Sequence, residues 1–501
     1  LADTPHSSTA PDTLSTGIDR LDTVLGGGLT ARRLYMVEGL PGTGKTTLGM
    51  QFLLAGAKRG EAVMYITLSE TEEEIRAVAL SHGWDLSGID ILEVMPDEDA
   101  LMPSEQYTVF DPDEVELGET NRTILREVEQ RQPSRVVFDS LSELRLLAGS
   151  PLRYRHQVLG LKQYFGARGC TVLMLDDRGS GRSQDPQLQS LAHGVLSLEQ
   201  WYPAFGRERR RLRVVKYRGH HFQDGYHDFR IARGGLEVFP RLVAASSRQP
   251  IEPGSLMSNV PGLDALLGGG LERGTSTLVT GAAGTGKSTI ACAFAAAAAE
   301  RGDRAALFLF DESVPTLRKR MNGLGFPLDA HLASGRISVQ QVDPAELSPG
   351  EFAHVVLKAA RGGARVVVID SLNGYLNAMP DEKFLNVQLH ELLTALGQLG
   401  TCTLLINVQQ GLVGAHMTSP VDASYLADTV LLLRYFEAQG EVRQIVSVLK
   451  KRSGYHERAL REFTITSDGL RVGEPLRRFH GLLTGVPVYA DMAAPLGEDG
   501  P

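Results

Sequence analysis

Residues 39–46 read GLPGTGKT, and residues 281–288 read GAAGTGKS. Both fit G-x-x-x-x-G-K-[S/T]. Each follows an apolar run (LYMVEG, 34–39; STLVTG, 276–281) and precedes a helix-forming one (TTLGMQFLLAGAKRG, 46–60; IACAFAAAAA, 290–299). The glycines let the backbone curl so that successive N–H groups face phosphate oxygens, and the helix that follows adds its positive end. The lysine reaches the β- and γ-phosphates, and the next hydroxyl residue serves Mg²⁺. A chance Gly-rich turn would not recur in the same context. Nucleotide binding is therefore the firmest functional reading. It assigns Gly42, Thr43, Gly44, Lys45, Thr46 and Thr47, and Gly284, Thr285, Gly286, Lys287, Ser288 and Thr289, to the bound nucleotide.

The recurrence extends outward from these loops. GIDRLDTVLGGGL (17–29) returns as GLDALLGGGL (262–271), RVVFDSLS (135–142) as VVVIDSLN (366–373), and RLRVVKYRG (211–219) is echoed by RQIVSVLKKRSG (443–454). Order and spacing hold, so the chain is a tandem duplication. In the first copy the runs LYMVEG, AVMYITLS, RVVFDS, TVLMLDD, GVLSLEQ and LRVVKY are continuously apolar, as expected for strands covered on both faces. They alternate with helical stretches. The spacing predicts two α/β P-loop NTPase domains, each with a mostly parallel sheet, extended by antiparallel strands where the last runs follow one another without helices. The expected division is a disordered leader over 1–13, a first domain over 14–245, a linker over 246–256, a second domain over 257–473 and a tail over 474–501.

The composition sets outer bounds. The 501 residues exceed one ordinary core, and 42% hydrophobic with 22% charged residues is the globular range. A net charge of −9 gives no general electrostatic footprint for nucleic acid. Cys170, Cys292 and Cys402 lie far apart without a C-x-x-C, which fits buried thiols in a reducing compartment and predicts a cytoplasmic protein. The longest apolar run, 290–299, is too short to span a bilayer, so no membrane partner is expected.

Three further repeated features bear on chemistry. Asp139 and Asp370 each end an apolar strand, where P-loop folds hold Mg²⁺. The strand after each phosphate-loop helix ends in LSET (68–71) or FDES (310–313), offering Glu70, and Asp311 with Glu312, as acceptors for a proton from an attacking water or hydroxyl. KYR (216–218) and KKR (450–452) end a late strand in each copy. In a ring of such domains, cations at that position reach a neighbour's γ-phosphate. The run GRERRRLR (206–213) reads as a solvated hairpin or a pore lining.

These features together resemble the KaiC family, double-domain relatives of RecA. SHGWDL (81–86), GAHMTSP (414–420), ADTVLLLRY (427–435), KKRSGYHERALREF (450–463) and RRFHGLLTGVP (477–487) add to the resemblance, which covers roughly 14–489. It implies two RecA-like domains, a homohexamer of two stacked rings with ATP and Mg²⁺ at subunit interfaces, and protein signalling partners such as KaiB-like proteins. It implies an ATPase in the first domain and a serine/threonine autokinase in the second. It places Ser81 beside the first nucleotide, and Lys216, Tyr217, Arg218, Lys450, Lys451 and Arg452 against ATP held by the adjacent subunit. It also makes Ser424 the phosphate acceptor. The chain departs from the family pattern in three places: Ser69 stands where the family has a first glutamate, Asp311 replaces its counterpart, and Tyr425 replaces the threonine of an adjacent Ser-Thr pair. Two other functions compete: a regulatory ATPase switch without kinase activity, and a nucleic-acid-dependent ATPase, which the net charge disfavours.

Overall fold

The structure, a computed structural model, describes residues 12–94, 112–177, 186–203, 206–244, 252–326, 328–343, 345–377, 385–411, 424–484 and 488–489. Nearly all of the expected leader, residues 246–251 of the linker, GAHMTSP and the tail beyond 489 lie outside these. The chain divides into two compact units, with the changeover between Arg241 and Leu242.

The first unit is built on nine strands: β1 Leu34–Gly39, β2 Val63–Thr67, β3 Asp90–Glu93, β4 Arg135–Asp139, β5 Thr171–Asp177, β6 Gly194–Trp201, β7 Arg209–Tyr217, β8 His227–Ala232 and β9 Gly235–Phe239. Their spatial order is β9-β8-β7-β6-β1-β5-β4-β2-β3. All pairings from β6 through β1 to β3 are parallel, and β6-β7-β8-β9 are antiparallel. The second unit repeats the plan with β10 Ser276–Gly281, β11 Arg304–Leu309, β12 Ile337–Gln341, β13 Ala364–Asp370, β14 Cys402–Val408, β15 Thr429–Ala438, β16 Glu441–Lys451, β17 Arg461–Thr466 and β18 Gly469–Pro475. Its order, β18-β17-β16-β15-β10-β14-β13-β11-β12, is the same sequence of positions.

The continuous apolar runs follow from this layering. Successive strand residues point to opposite faces, so a strand covered on both faces needs apolar residues at every position. In β4, Val137 joins a core containing Val37, Leu48 and Phe52, whereas Val136 and Phe138 join one on the other face with Met36 and Met64. In β13, Val366 and Val368 face one core, and Val367 and Ile369 the other. The Ala-rich helix Lys287–Glu300 is buried almost all round, which explains its lack of a polar face. The three cysteines are all buried and free.

Contacts outside the main sheets brace each unit. Arg135, at the start of β4, is fully buried; its Nε and Nη2 donate to the Glu61 carboxylate at 2.6 and 3.0 Å, and its Nη1 donates to the carbonyls of Ser15 and Phe52. In the second unit, residues following β18 fold back: Leu482 is buried with Phe436 and Ile445, and Phe479–His480 pairs with Val488–Tyr489. The ninth strand thus runs to Pro475, past the expected domain end at 473.

Candidate functional site

Each phosphate loop joins the carboxyl end of the central strand (β1 or β10) to a helix, Lys45–Ala57 or Lys287–Glu300. The last glycine before the lysine carries the turn. Gly44 and Gly286 have φ of 100° and 91°, and a Cβ there would lie 2.7 Å from Ile231 Cδ1 or 2.6 Å from Ile465 Cδ1. Only glycine meets both demands. Thr43 and Thr285 are buried and brace the loops by donating to the carbonyls of Leu40 (2.8 Å) and Ala282 (2.9 Å).

The lysines are held inside the curl. Lys45 Nζ donates to Gly39 O and Leu40 O and pairs with Asp177 at 2.6 Å; Lys287 Nζ donates to Ala282 O at 2.6 Å. Burial pushes the Lys287 ammonium down to about 8, against the opposing pull of Asp370. Thr46 Oγ1 donates to Asp139 Oδ2 at 3.0 Å, and Ser288 and Asp370 line the same cavity, where the serine hydroxyl lowers the proton affinity of the aspartate. Burial raises the proton affinity of both aspartates above the ordinary carboxylate range. Each site therefore offers a hydroxyl and a desolvated carboxylate oxygen side by side. This hard-oxygen set fits Mg²⁺, whose charge offsets that burial. Tyr65 adds a hydroxyl that donates to Asp139 Oδ2 at 2.5 Å.

The two sites differ at their carboxylates. Burial is the first cause of a raised proton affinity at Glu70; the other charges acting on it are the carboxylates Asp139, Glu74 and Asp177. In the second domain, Lys287, Ser288, Thr289, Asp311, Glu312, Arg320, Asp370 and Ser371 line one cavity of about 760 Å³, within the size range of small-molecule sites. Ser371 Oγ donates to Asp311 Oδ2. Arg320 Nε and Nη2 donate to the two oxygens of Glu312 at 3.1 and 2.8 Å, and its Nη1 donates to Thr289 Oγ1 at 3.0 Å.

The basic triplets lie at the other edge of each sheet. Lys216 Nζ donates to Gln189 O (2.6 Å) and Ala192 O (2.8 Å); Lys450 Nζ donates to Ser424 O (2.9 Å) and Ala427 O (2.8 Å). Arg218 Nη2 reaches Ser190 O (2.7 Å), as Arg452 Nη2 reaches Tyr425 O (2.9 Å). Ser424 therefore occupies the position of Gln189, and Tyr425 that of Ser190. Both Ser424 and Tyr425 are exposed. The middle residues turn inward. Tyr217 is buried, with its hydroxyl donating to Gly28 O, and Lys451 Nζ donates to Leu267 O and Gly270 O. Ser81 ends the exposed side of the helix Glu72–Ser81 and donates to Val78 O at 2.6 Å.

Strand direction separates these groups. β15 runs parallel to β10 with Thr277 beside Thr429 and Gly281 beside Leu433. The loop follows Gly281 at the carboxyl edge, while Ser424 precedes β15 at the amino edge. At ~3.3 Å per residue, a chain's own loop and its own Ser424 stand at least about 13 Å apart. The first domain has the same arrangement, with Tyr35 beside Gly194 and Gly39 beside Leu198.

The structure thus brings Thr46 to Asp139, Ser288 to Asp370, and Asp311 with Glu312 into the second cavity. It leaves both basic triplets and Ser424 away from their own loops. The sequence reading missed Arg320, Tyr65 and Asp177. Arg320 lies in the helix Val314–Gly323, VPTLRKRMNG, where no motif separates it from the neighbouring Arg318 and Lys319. A signal was available in comparing the copies, since the matching residue in the first is Val78.

A family profile described as ATPase: KaiC matches residues 14–243 and again 256–477. The circadian clock protein KaiC3 of Synechocystis sp. is 27% identical over 482 residues, covering 95% of this chain and 94% of that protein. The circadian clock oscillator protein KaiC of Thermostichus vulcanus is 27% identical over 500 residues, covering 97% and 93%. That of Synechococcus elongatus is 27% identical over 495 residues, covering 95% and 91%. With the profile matched twice, once on each nine-stranded α/β unit, the chain belongs to the KaiC family of ATPases and consists of two tandem RecA-like domains.

Proposed function

We propose that this ATPase assembles as a homohexamer of two stacked rings, hydrolyses ATP in its first domain, and transfers the γ-phosphoryl group to Ser424 in its second. The changed state of Ser424 is then read by protein partners, KaiB-like proteins among them. The reading rests on one observation above others. Ser424 and the cations Lys450 and Arg452 sit together at the edge of the sheet opposite their own phosphate loop, out of reach of a nucleotide held there.

In each domain the loop N–H groups and Lys45 or Lys287 would hold the phosphates, with Thr46 and Asp139, or Ser288 and Asp370, holding Mg²⁺. The bound cation neutralises charge on the transferring phosphoryl group. Glu70 takes a proton from water as its oxygen bonds to phosphorus and the bond to ADP breaks. In the second domain, Asp311 or Glu312 takes the proton from the Ser424 hydroxyl of the adjacent subunit. Lys216, Arg218, Lys450 and Arg452 act across interfaces, and Ser81 borders the first nucleotide. Tyr217 and Lys451 serve their own Gly-rich turns. Among the described residues no helix is long and apolar enough to cross a membrane; a cytoplasmic location is part of the proposal.

Incubation with ATP and Mg²⁺ followed by phosphopeptide mass spectrometry tests this. Phosphate on Ser424, lost in Ser424→Ala while ATP hydrolysis persists, is the expected result. Active hydrolysis with no label on Ser424 would leave a nucleotide-driven switch, the reading that the exposed Tyr425 beside Ser424 favours.

A further inference from the structure

The two domains carry the same fold and the same loop, yet their proton-accepting carboxylates are in opposite surroundings. Glu70 and Glu312 are equivalent, each directly before the N-cap residue of the next helix (Thr71 and Ser313). Glu312 has both oxygens engaged by one guanidinium, and that guanidinium is also anchored to Thr289 on the phosphate-loop helix. The pair is partly buried, with side-chain exposures of 29% for Arg320 and 22% for Glu312. A bidentate Arg–carboxylate contact is among the stronger and more directional side-chain contacts, and here the planar fork is tied at three points. The residue at the same helical position in the first domain is Val78, which cannot pair with Glu70 and is 46% exposed.

We propose that Arg320 is a positioning residue that suppresses ATP hydrolysis in the second domain by holding Glu312 away from water, leaving Asp311 to serve transfer to the serine hydroxyl. Activation of water requires a carboxylate oxygen within hydrogen-bond reach of that water and able to accept its proton. With Arg320 in place, neither oxygen of Glu312 can turn to a water at the γ-phosphate without breaking two charged hydrogen bonds. Asp311 accepts from the Ser371 hydroxyl and, among the described residues, is paired with no guanidinium. The balance between hydrolysis and transfer is thereby set by one side chain on the helix Val314–Gly323. The inference rests on the reading of Glu70 and Glu312 as equivalent proton acceptors.

The test uses the full-length chain with first-domain hydrolysis silenced by E70Q, which leaves that loop intact. In this background R320V, which installs the first domain's residue, should raise residual ATP turnover about tenfold, a fraction of what a positioned base contributes. The KM for ATP should stay within about twofold. R320K, whose single ammonium cannot hold both oxygens of Glu312, should give a gain between those of the parent and R320V, and E312Q added to E70Q/R320V should abolish the gain. Conversely V78R, which places the second domain's residue at the equivalent exposed position, should lower turnover of the otherwise unaltered protein about tenfold. A raised KM or a lowered rate in R320V would make Arg320 a nucleotide contact and overturn the proposal, as would a gain that survives E312Q. Unchanged turnover in V78R counts against it independently of how R320V folds. Undiminished hydrolysis in E70Q alone overturns the underlying assignment of the carboxylates, whereas a silent E70Q that R320V fails to rescue overturns only the role of Arg320.

Discussion

The separation of Ser424 from its own phosphate loop makes a prediction about mixed rings. In-line transfer needs the attacking oxygen within about 3–3.5 Å of phosphorus. The parallel register of β10 and β15 keeps a chain's own loop and acceptor at least about 13 Å apart, along strands locked between two cores. Local opening of a loop cannot close such a gap without unzipping the sheet. One variant, Lys287→Ala, keeps the acceptor but loses its donor site. A second, Ser424→Ala, keeps the donor but loses the acceptor. Neither should be labelled alone. Mixed in equal amounts before assembly, each Lys287→Ala chain finds a Ser424→Ala neighbour on the required side about half the time, because a closed ring built from head-to-tail contacts gives every chain one such neighbour. Label should therefore reach about half of the Ser424-bearing chains, quantified by mass spectrometry of the Ser424 peptide against a wild-type control. Label on Lys287→Ala alone, or an unlabelled mixture beside a labelled control, would refute the opposite-edge reasoning.

Other consequences are simpler to check. Glu61→Ala would strand the fully buried Arg135 guanidinium and should cost about 3 kcal/mol, the low end for a broken buried pair because Glu61 still reaches solvent. The Arg135 hydrogen bonds hold the Glu61 carboxyl below its usual range. Its contribution is thus full above the unfolded carboxylate value of about 4.3, and the deficit of the variant should shrink as pH falls through and below that value. Urea denaturation at neutral and acid pH measures both effects. Tyr65→Phe removes the hydroxyl that orients Asp139 and should raise the Mg²⁺ concentration for half-maximal hydrolysis about tenfold; an unchanged Mg²⁺ titration would show that Asp139 needs no such support. Gly286→Ala forces a Cβ against Ile465 and Phe463 at a φ of 91° and should halve the nucleotide bound per chain in equilibrium dialysis, with the first domain still loaded.

Much of the fold was legible because its strongest constraint is compositional. Strands covered on both faces must be apolar throughout, so LYMVEG and TVLMLDD correspond residue for residue to β1 and β5. The edge strand β3, Asp90–Glu93, escaped notice because it is four residues long, polar at both ends and not fully buried at any position. The loops were legible because glycine at a left-handed turn cannot be replaced by another residue type. What stayed hidden was contact between side chains from different elements. Lys45 meets Asp177 only because β1 and β5 are neighbours, with Gly39 beside Asp177. Arg320 meets Glu312 only after its helix folds back toward the strand end. Tyr217 was expected, with the rest of its triplet, against ATP held by an adjacent subunit, but β7 turns it inward, to the Gly-rich turn.

The opposite-edge arrangement also bears on quantity. A lone chain carries both a phosphate loop and the proposed acceptor Ser424, yet the β-sheet acts as a spacer that keeps them apart. The proposed transfer to Ser424 would then have a reaction order above one wherever rings are scarce, and dilution would silence it without any inhibitor. On that proposal the cellular abundance of the chain itself would become an input, and a phosphate on Ser424 would count neighbours as much as it reports nucleotide.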